Sequence, residues 1–298
     1  MAQDAYTNTE NEKSTEHNTA VMHPLQGIAV NDVMQCGVLT ISPQDSVYRA
    51  IGLMVEKGIS GLPVVEDRQV CGIISEKDLL KLVYEEEQIP GVIRDHMTFE
   101  ITGFDIDDPL SDICECFIHN KFRRVPILYR GKLAGLISRS DLVKAFYHQY
   151  RSRNQVESDA SVCIPAKDVM KGGLVTIELD TPVYDAVDLL VGQRLTGLPV
   201  VDDCYRLIGI VTDKDVLVHL ATHPDSRASV SEIMTENVVS FDQNASFFDV
   251  CDCLIQNDFR RIPILRGDKL IGIISRADIM LYILKNKTTI FSRRRSHQ

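Results

Sequence analysis

Apolar residues recur along this chain with two alternating periods. Val47, Ala50, Ile51, Met54 and Val55 fall at i, i+3, i+4, i+7 and i+8, which is one face of a helix. The spacing returns in Leu110/Ile113/Cys114/Phe117/Ile118, Val183/Ala186/Val187/Leu190/Val191 and Phe247/Val250/Cys251/Leu254/Ile255. After each helix come two short β-branched runs around a polar turn, as in LPVV, EDRQ and VCGIIS. A short strand such as LTI, Leu39 to Ile41, precedes the first helix, and a second helix opens at Ser/Thr-x-x-Asp. The predicted order is β-α-β-β-α.

That order occurs four times. GIISEKDL, GLISRSDL, GIVTDKDV and GIISRADI place Asp78, Asp141, Asp215 and Asp278 at intervals of 63, 74 and 63 residues. Upstream lie GLPVV, RVPIL, GLPVV and RIPIL, and before those DVM, DHM, DVM and EIM. Units 1 and 3 resemble each other, as do 2 and 4; NKFRRVPILYRGKLAGLISRSDL and NDFRRIPILRGDKLIGIISRADI agree at 14 of 23 positions without a gap. The boundaries read as a disordered tail over 1–29, units over 30–86, 91–150, 165–222 and 229–284, a polar linker over 151–164 and a basic tail over 285–298. A unit of about sixty residues buries its own sheet face poorly, so units 1 with 2 and 3 with 4 are expected to pair.

Composition narrows the function. At 298 residues with 44% hydrophobic and 25% charged positions, the chain reads as a soluble globular protein. A net charge of −10 argues against nucleic acid or an anionic membrane as partner. No apolar run reaches a membrane span, no signal-peptide core is seen, and eight scattered cysteines fit reduced thiols in a cytoplasm.

The motif order, with DVM first, an apolar-Pro strand next and Gly-x-x-Ser/Thr-x-x-Asp last, resembles the cystathionine β-synthase (CBS) domain over about Val30 to Leu284. Two such domains make a Bateman module, and the chain looks like two modules in tandem, an α/β (α+β) architecture. Its layout is similar to the gamma subunit of AMP-activated protein kinase. The resemblance implies a regulatory protein that binds adenosine ligands in clefts between paired domains. It implies that Asp78, Asp141, Asp215 and Asp278 take ribose hydroxyls, and that Ser75, Ser138, Thr212 and Ser275 face phosphate at helix N-termini. It places adenine near Thr40, Ile41, Thr176 and Ile177 and near Gly61, Leu62, Pro63, Gly197, Leu198 and Pro199.

The chemistry of the residues is compatible with this. A helix N-terminus attracts phosphate through free N–H groups and its dipole. A carboxylate accepts from two vicinal hydroxyls. Gly72, Gly135, Gly209 and Gly272 stand three residues before the Ser/Thr, where a missing side chain lets a ligand approach the backbone. The bland reading of each Ser/Thr-x-x-Asp is a helix cap, and both roles can coexist.

Arginines separate the units. Units 2 and 4 carry Arg123-Arg124 and Arg260-Arg261 before the Pro, with Arg139 and Arg276 inside Ser-Arg-x-Asp, and guanidinium forks suit phosphate. Units 1 and 3 have Ser60-Gly61 and Thr196-Gly197 there, with Glu76 and Asp213 after the Ser/Thr. The gamma subunit has His-Arg where each Arg pair falls, so Arg124 and Arg261 match it while Arg123 and Arg260 depart. The competing reading is a basic face paired with nearby acids. Unequal sites are expected, with an aspartate from one unit and arginines from another as one division.

Cys114/Cys116 and Cys251/Cys253 sit at i, i+2, so their thiols diverge on a helix and do not read as metal ligands. The eight histidines are read as having no HxxxH or CxxC partners, and no Walker loop or nucleophile–base order stands out. The expected function is a non-enzymatic sensor of AMP, ADP or ATP, with or without magnesium, that signals to a protein partner. A ligand-independent interaction scaffold and an enzyme with a cryptic hydrolytic site are the alternatives, and homodimerisation stays open.

Overall fold

The computed structural model describes residues 25–85, 91–120, 122–154, 164–223, 227–257 and 259–286. Most of the expected tails and of the linker lie outside these residues. Unit 1 comprises α1 (Val47–Lys57), β1 (Gly61–Glu66), β2 (Gln69–Ser75) and α2 (Glu76–Glu85). Unit 2 comprises α3 (Ile93–His96), β3 (Phe104–Asp105), α4 (Leu110–His119), β4 (Arg124–Tyr129), β5 (Lys132–Ser138) and α5 (Arg139–Asn154). Unit 3 follows with α6 (Val183–Gly192), β6 (Gly197–Val201), β7 (Leu207–Thr212) and α7 (Asp213–Thr222). Unit 4 closes the chain with β8 (Thr235–Glu236), β9 (Phe241–Asp242), α8 (Phe247–Gln256), β10 (Arg261–Arg266), β11 (Lys269–Ser275) and α9 (Arg276–Lys285).

Local chemistry explains the elements. Ser46 caps α1 by accepting from the Arg49 N–H at 3.3 Å, and Gly58 ends it with a left-handed φ of 65°. In the β1–β2 hairpin Glu66 pairs with Gln69, and the two turn residues Asp67 and Arg68 take φ of 51° and 67°, the backbone that suits a two-residue loop to twisted strands. Each first helix buries its predicted face up to the second turn, but Val55, the fifth apolar position in α1, is 36% exposed. The expected leading strand is a single bridge in units 1 and 3, Ile41 to Val64 and Ile177 to Val200, and two residues long in β3 and β9. Two expected boundaries shift. Helix α5 runs to Asn154, four residues into the predicted linker, and Leu25 of the predicted tail is 2% exposed in a core.

The units exchange their leading segments. The backbone of Gln35 bonds reciprocally with Leu136 of β5, and that of Thr98 with Ile73 of β2. In the second half Lys171 bonds reciprocally with Ile273 of β11, and β8 pairs antiparallel with β7. Units 1 with 2 and 3 with 4 are therefore joined through their sheets. The crossing brings Met34 onto Gly135, Met97 onto Gly72, Met170 onto Gly272 and Met234 onto Gly209. A Cβ on those glycines would stand 2.4–2.8 Å from the methionine sulfur. The space reserved at Gly72, Gly135, Gly209 and Gly272 is thus filled by the partner unit's methionine rather than by a ligand, which explains why the DxM and glycine motifs recur together.

The apolar cores join the other way. Helix α2 packs on α6 and α7, and α5 packs on α8 and α9. One continuous core therefore holds Met54, Leu62 and Leu80 of unit 1 with Val187, Leu198 and Leu217 of unit 3. The other holds Phe117 and Phe146 of unit 2 with Phe247 and Ile279 of unit 4. The expectation that pairing within a module completes the core is corrected. Strand edges are satisfied within modules, while the apolar faces of the helices are buried between them.

Candidate functional site

All four Ser/Thr-x-x-Asp motifs form the cap their spacing predicts. Asp78 Oδ2 accepts from the Ser75 N–H at 2.9 Å and from Ser75 Oγ at 2.6 Å, and the Asp78 N–H donates back to Ser75 Oγ at 3.4 Å. Ser138–Asp141, Thr212–Asp215 and Ser275–Asp278 repeat this with the same oxygen. Each cap consumes one carboxylate oxygen and the serine or threonine hydroxyl, and leaves Oδ1.

The fate of Oδ1 divides the sites. Asp141 Oδ1 accepts from Gln35 Nε2 at 2.8 Å, and Asp278 Oδ1 meets Lys171 Nζ at 2.6 Å. Gln35 and Lys171 arrive on the crossing segments of units 1 and 3, one residue after the methionines. The same position in the segments of units 2 and 4 is Thr98 and Thr235, too short to reach across. Among the described residues no side chain bonds Oδ1 of Asp78 or Asp215.

Asp78 opens on a cleft of about 240 Å³ between units 1 and 2. Unit 1 supplies Ser60, Gly61, Ser75 and Lys77, and unit 2 supplies Thr98, Glu100, Ile101, Thr102, Phe122, Arg123 and Arg124. Arg124 donates to the Gly61 carbonyl at 2.8 Å and to Ser60 Oγ at 2.6 Å; Arg261 donates likewise to the Gly197 carbonyl at 3.0 Å. Gly197 leaves room for the arginine of unit 4, since a Cβ there would lie 3.0 Å from Arg261 Nη1; a Cβ on Gly61 would instead meet the Ile74 carbonyl at 3.2 Å. No carboxylate of the described residues hydrogen-bonds either guanidinium. Burial, helped by neighbouring arginines, pushes both down to about 10, so both stay charged at neutral pH.

The other arginines are engaged. Arg123 Nη1 lies 3.3 Å from Asp213 and 4.0 Å from Glu76, and Arg260 Nη1 lies 3.2 Å from Glu76 and 3.4 Å from Asp213. Burial holds the Glu76 carboxyl above the usual carboxylate range despite the attraction of Arg260. Arg139 donates to the Phe117 and Asn120 carbonyls at 3.1 and 3.0 Å, closing the C-terminal end of α4, and burial lowers its pKa. Arg276 donates to the Leu254 carbonyl at 3.2 Å and to Ser140 Oγ. In this structure Arg139 and Arg276 thus close helix ends, in place of the phosphate role that their guanidinium chemistry suggests.

The adenine expectations divide too. Gly61 lines the Asp78 cleft, but Leu62 and Leu198 are wholly buried in the core, as are Ile41 and Ile177 at 3% and 5% exposure. Pro63 and Pro199 are buried, Thr40 is exposed and Thr176 half-buried. Gln35, Thr98, Glu100, Ile101, Thr102, Phe122 and Lys171 were not singled out in the sequence. The signal for Gln35, Thr98 and Lys171 is the position just after DxM, readable only once the crossing is known, while Phe122 stands directly before the Arg123-Arg124 pair. The reading that no histidines stand at HxxxH spacing is corrected: His219 of α7 and His223, the residue that ends it, are four apart and their rings stack with centroids 5.3 Å apart. Cys114 and Cys251 are buried thiols whose pKa burial raises, for Cys114 to about 12. Among the described residues no helix is long and apolar enough to cross a membrane.

Comparison with known proteins agrees with the repeat. The CBS domain family matches residues 30–85, 93–148, 166–222 and 230–285. The chain belongs to the CBS-domain family. Protein MJ1225 of Methanocaldococcus jannaschii is 27% identical over 199 residues, 64% of this chain and 70% of that protein. Its crystal structure, described there as that of a proposed archaeal homologue of g-AMPK, has a TM-score of 0.75 at 20% identity, covering 86% of this chain and all of the other. Protein MJ1404 of the same organism is 26% identical over 274 residues, 85% of this chain and 61% of that protein. CBSX2 of Arabidopsis thaliana, solved in complex with AMP, is 30% identical over 41% of this chain and 98% of the other, at a TM-score of 0.38. The fold is therefore that of tandem CBS pairs.

Proposed function

We propose that this CBS protein is a non-catalytic regulator that binds AMP, ADP or ATP in the cleft at Asp78 and at the repeat-equivalent position beside Asp215, and signals occupancy to a protein partner. One observation carries the reading. Arg124 and Arg261 are desolvated cations whose hydrogen bonds, among the described residues, go only to neutral oxygens, with the carboxylates of Glu76 and Asp213 near but not bonded to them, which suits a site for an anion. Around each, the parts of a nucleotide find complementary groups. The ribose meets the remaining oxygen of Asp78 or Asp215. The phosphate meets Arg124 or Arg261 and the N-terminus of α2 or α7. In the Asp78 cleft the base has Ile101 and Phe122. A partner senses the ligand only if it binds the filled and empty shapes unequally.

A scaffold reading draws on a different observation. At Asp141 and Asp278 the chain's own Gln35 and Lys171 occupy the ribose oxygen, so these two motifs are latches between units. The phosphate and ribose roles first expected for Ser138, Ser275, Asp141 and Asp278 are accordingly confined in this proposal to helix capping and latching.

Thermal unfolding with AMP, ADP, ATP and S-adenosylmethionine at millimolar concentration tests the proposal. A ligand at 100 times its Kd adds about 2.7 kcal/mol of stability, so a clear rise in Tm is expected with at least one. No shift with any of them leaves the scaffold, and release of labelled phosphate from ATP by the pure protein would replace both with an enzyme.

A further inference from the structure

Four ionisable side chains, one from each repeat, meet where the two modules abut. Glu76 of unit 1 and Asp213 of unit 3 are each 1% exposed, and both lie against Arg123 of unit 2 and Arg260 of unit 4 at 3.2–4.0 Å. The cluster balances two negative charges with two positive ones. It also touches the nucleotide sites. Glu76 and Asp213 are the first residues of α2 and α7, between the cap residue and the candidate ribose aspartate. Arg123 lines the Asp78 cleft and at the same time holds Asp213 of the other module, and Arg260, its repeat counterpart in unit 4, bonds both Glu76 and Asp213.

We infer that Glu76 and Asp213 compete with nucleotide phosphate for Arg123 and Arg260, and thereby make the two clefts bind phosphorylated ligands with negative cooperativity. The inference rests on the nucleotide reading above. Phosphate entering the Asp78 cleft draws Arg123 toward itself and away from Asp213. Of the two arginines that bond the buried carboxylates only Arg260 then remains on them, and it is less able to turn to a second phosphate at Asp215. Filling both clefts takes both bonded arginines from the two buried carboxylates, and leaves near them only Arg124 and Arg261, which the phosphates also attract; that is strongly unfavourable. The effect is reciprocal, since either cleft filled first weakens the other. It depends on phosphate. Adenosine occupies the ribose and base positions without attracting the arginines, so it leaves the clefts independent.

Calorimetric titration of the full chain with AMP and, separately, with adenosine tests this in the natural protein and in Glu76→Gln and Asp213→Asn. The two dissociation constants for AMP are expected to lie further apart than those for adenosine by roughly 5–150-fold, the usual range of coupling between sites. In either variant the spacing for AMP is expected to shrink to that of adenosine. Equal spacing for AMP and adenosine in the natural protein would overturn the coupling while leaving the nucleotide reading intact, as would a wide AMP spacing that persists in both variants. Absence of binding by both ligands overturns the nucleotide reading and the coupling together. If one substitution prevents folding, the other and the AMP–adenosine comparison still decide.

Discussion

Asp78 and Asp141 hold the same place in consecutive repeats and make the same cap, yet their surroundings are opposed. Beside Asp78 the crossing segment brings Thr98, the partner unit brings Arg123 and Arg124, and one carboxylate oxygen stays unbonded within the described chain. Beside Asp141 the crossing segment brings Gln35, which takes that oxygen at 2.8 Å. Unit 3 resembles unit 1 and unit 4 resembles unit 2, so Asp215 and Asp278 repeat the contrast, with Lys171 in place of Gln35. A motif that looks fourfold thus becomes two candidate ligand sites and two latches, because the residues that distinguish them arrive from the neighbouring unit.

The comparison breaks most visibly at the arginines. Arg124→Ala or Arg261→Ala is expected to weaken AMP binding about 10- to 150-fold, the equivalent of about 1.5–3 kcal/mol for hydrogen bonds to a charged group. Arg139→Ala and Arg276→Ala, which release helix-end carbonyls, are expected to lower Tm while changing affinity less than about threefold; calorimetry and thermal melts on the four variants separate the groups. Next come the aspartates. Asp78→Ala and Asp141→Ala each remove one helix cap and are expected to cost a similar ~1 kcal/mol in denaturant unfolding. Only Asp78→Ala is expected to weaken nucleotide binding, about tenfold or more. Equal losses of affinity in the two would erase the distinction between site and latch.

Smaller effects sharpen it. Lys171→Thr gives Asp278 the neighbour that Asp78 has. Because Lys171 is largely exposed, at 65% of its side chain, urea unfolding is expected to show a loss under about 1 kcal/mol. Nucleotide stoichiometry is expected to stay unchanged. The smallest expected effect is on pH dependence. Burial keeps the folded carboxyl of Glu76 above its unfolded pKa, so its contribution favours folding below the ordinary carboxylate range and fades as pH rises through the raised value. Glu76→Gln removes that dependence, and melts are expected to show it gaining more over the natural protein at pH 8 than at pH 4.

What the chain discloses on its own is local. Helix faces, hairpins and capping boxes depend on residues a few positions apart, and periods of 3.6 and 2 carry them. The fourfold repeat and the CBS resemblance were legible because the motifs return intact. Gln35 and Asp141, by contrast, are 106 residues apart, and Arg123 and Asp213 are 90 apart, and such contacts leave no periodicity. For that reason the methionine filling the space at each motif glycine, and the different partners of the four aspartates, appear only in the fold. The arginines show the same limit. Their number per half was visible, but whether each faces a cleft, a carboxylate or a helix end depends on chain brought from another unit.

The most direct measurement is a crystal structure of the chain grown with AMP. Density is expected in the Asp78 and Asp215 clefts, with the ribose hydroxyls on the aspartate Oδ1 and the phosphate on Arg124 or Arg261, while Gln35 and Lys171 keep their places on Asp141 and Asp278. AMP found instead at Asp141 or Asp278, or Arg124 and Arg261 unmoved beside empty clefts at saturating ligand, would contradict the account.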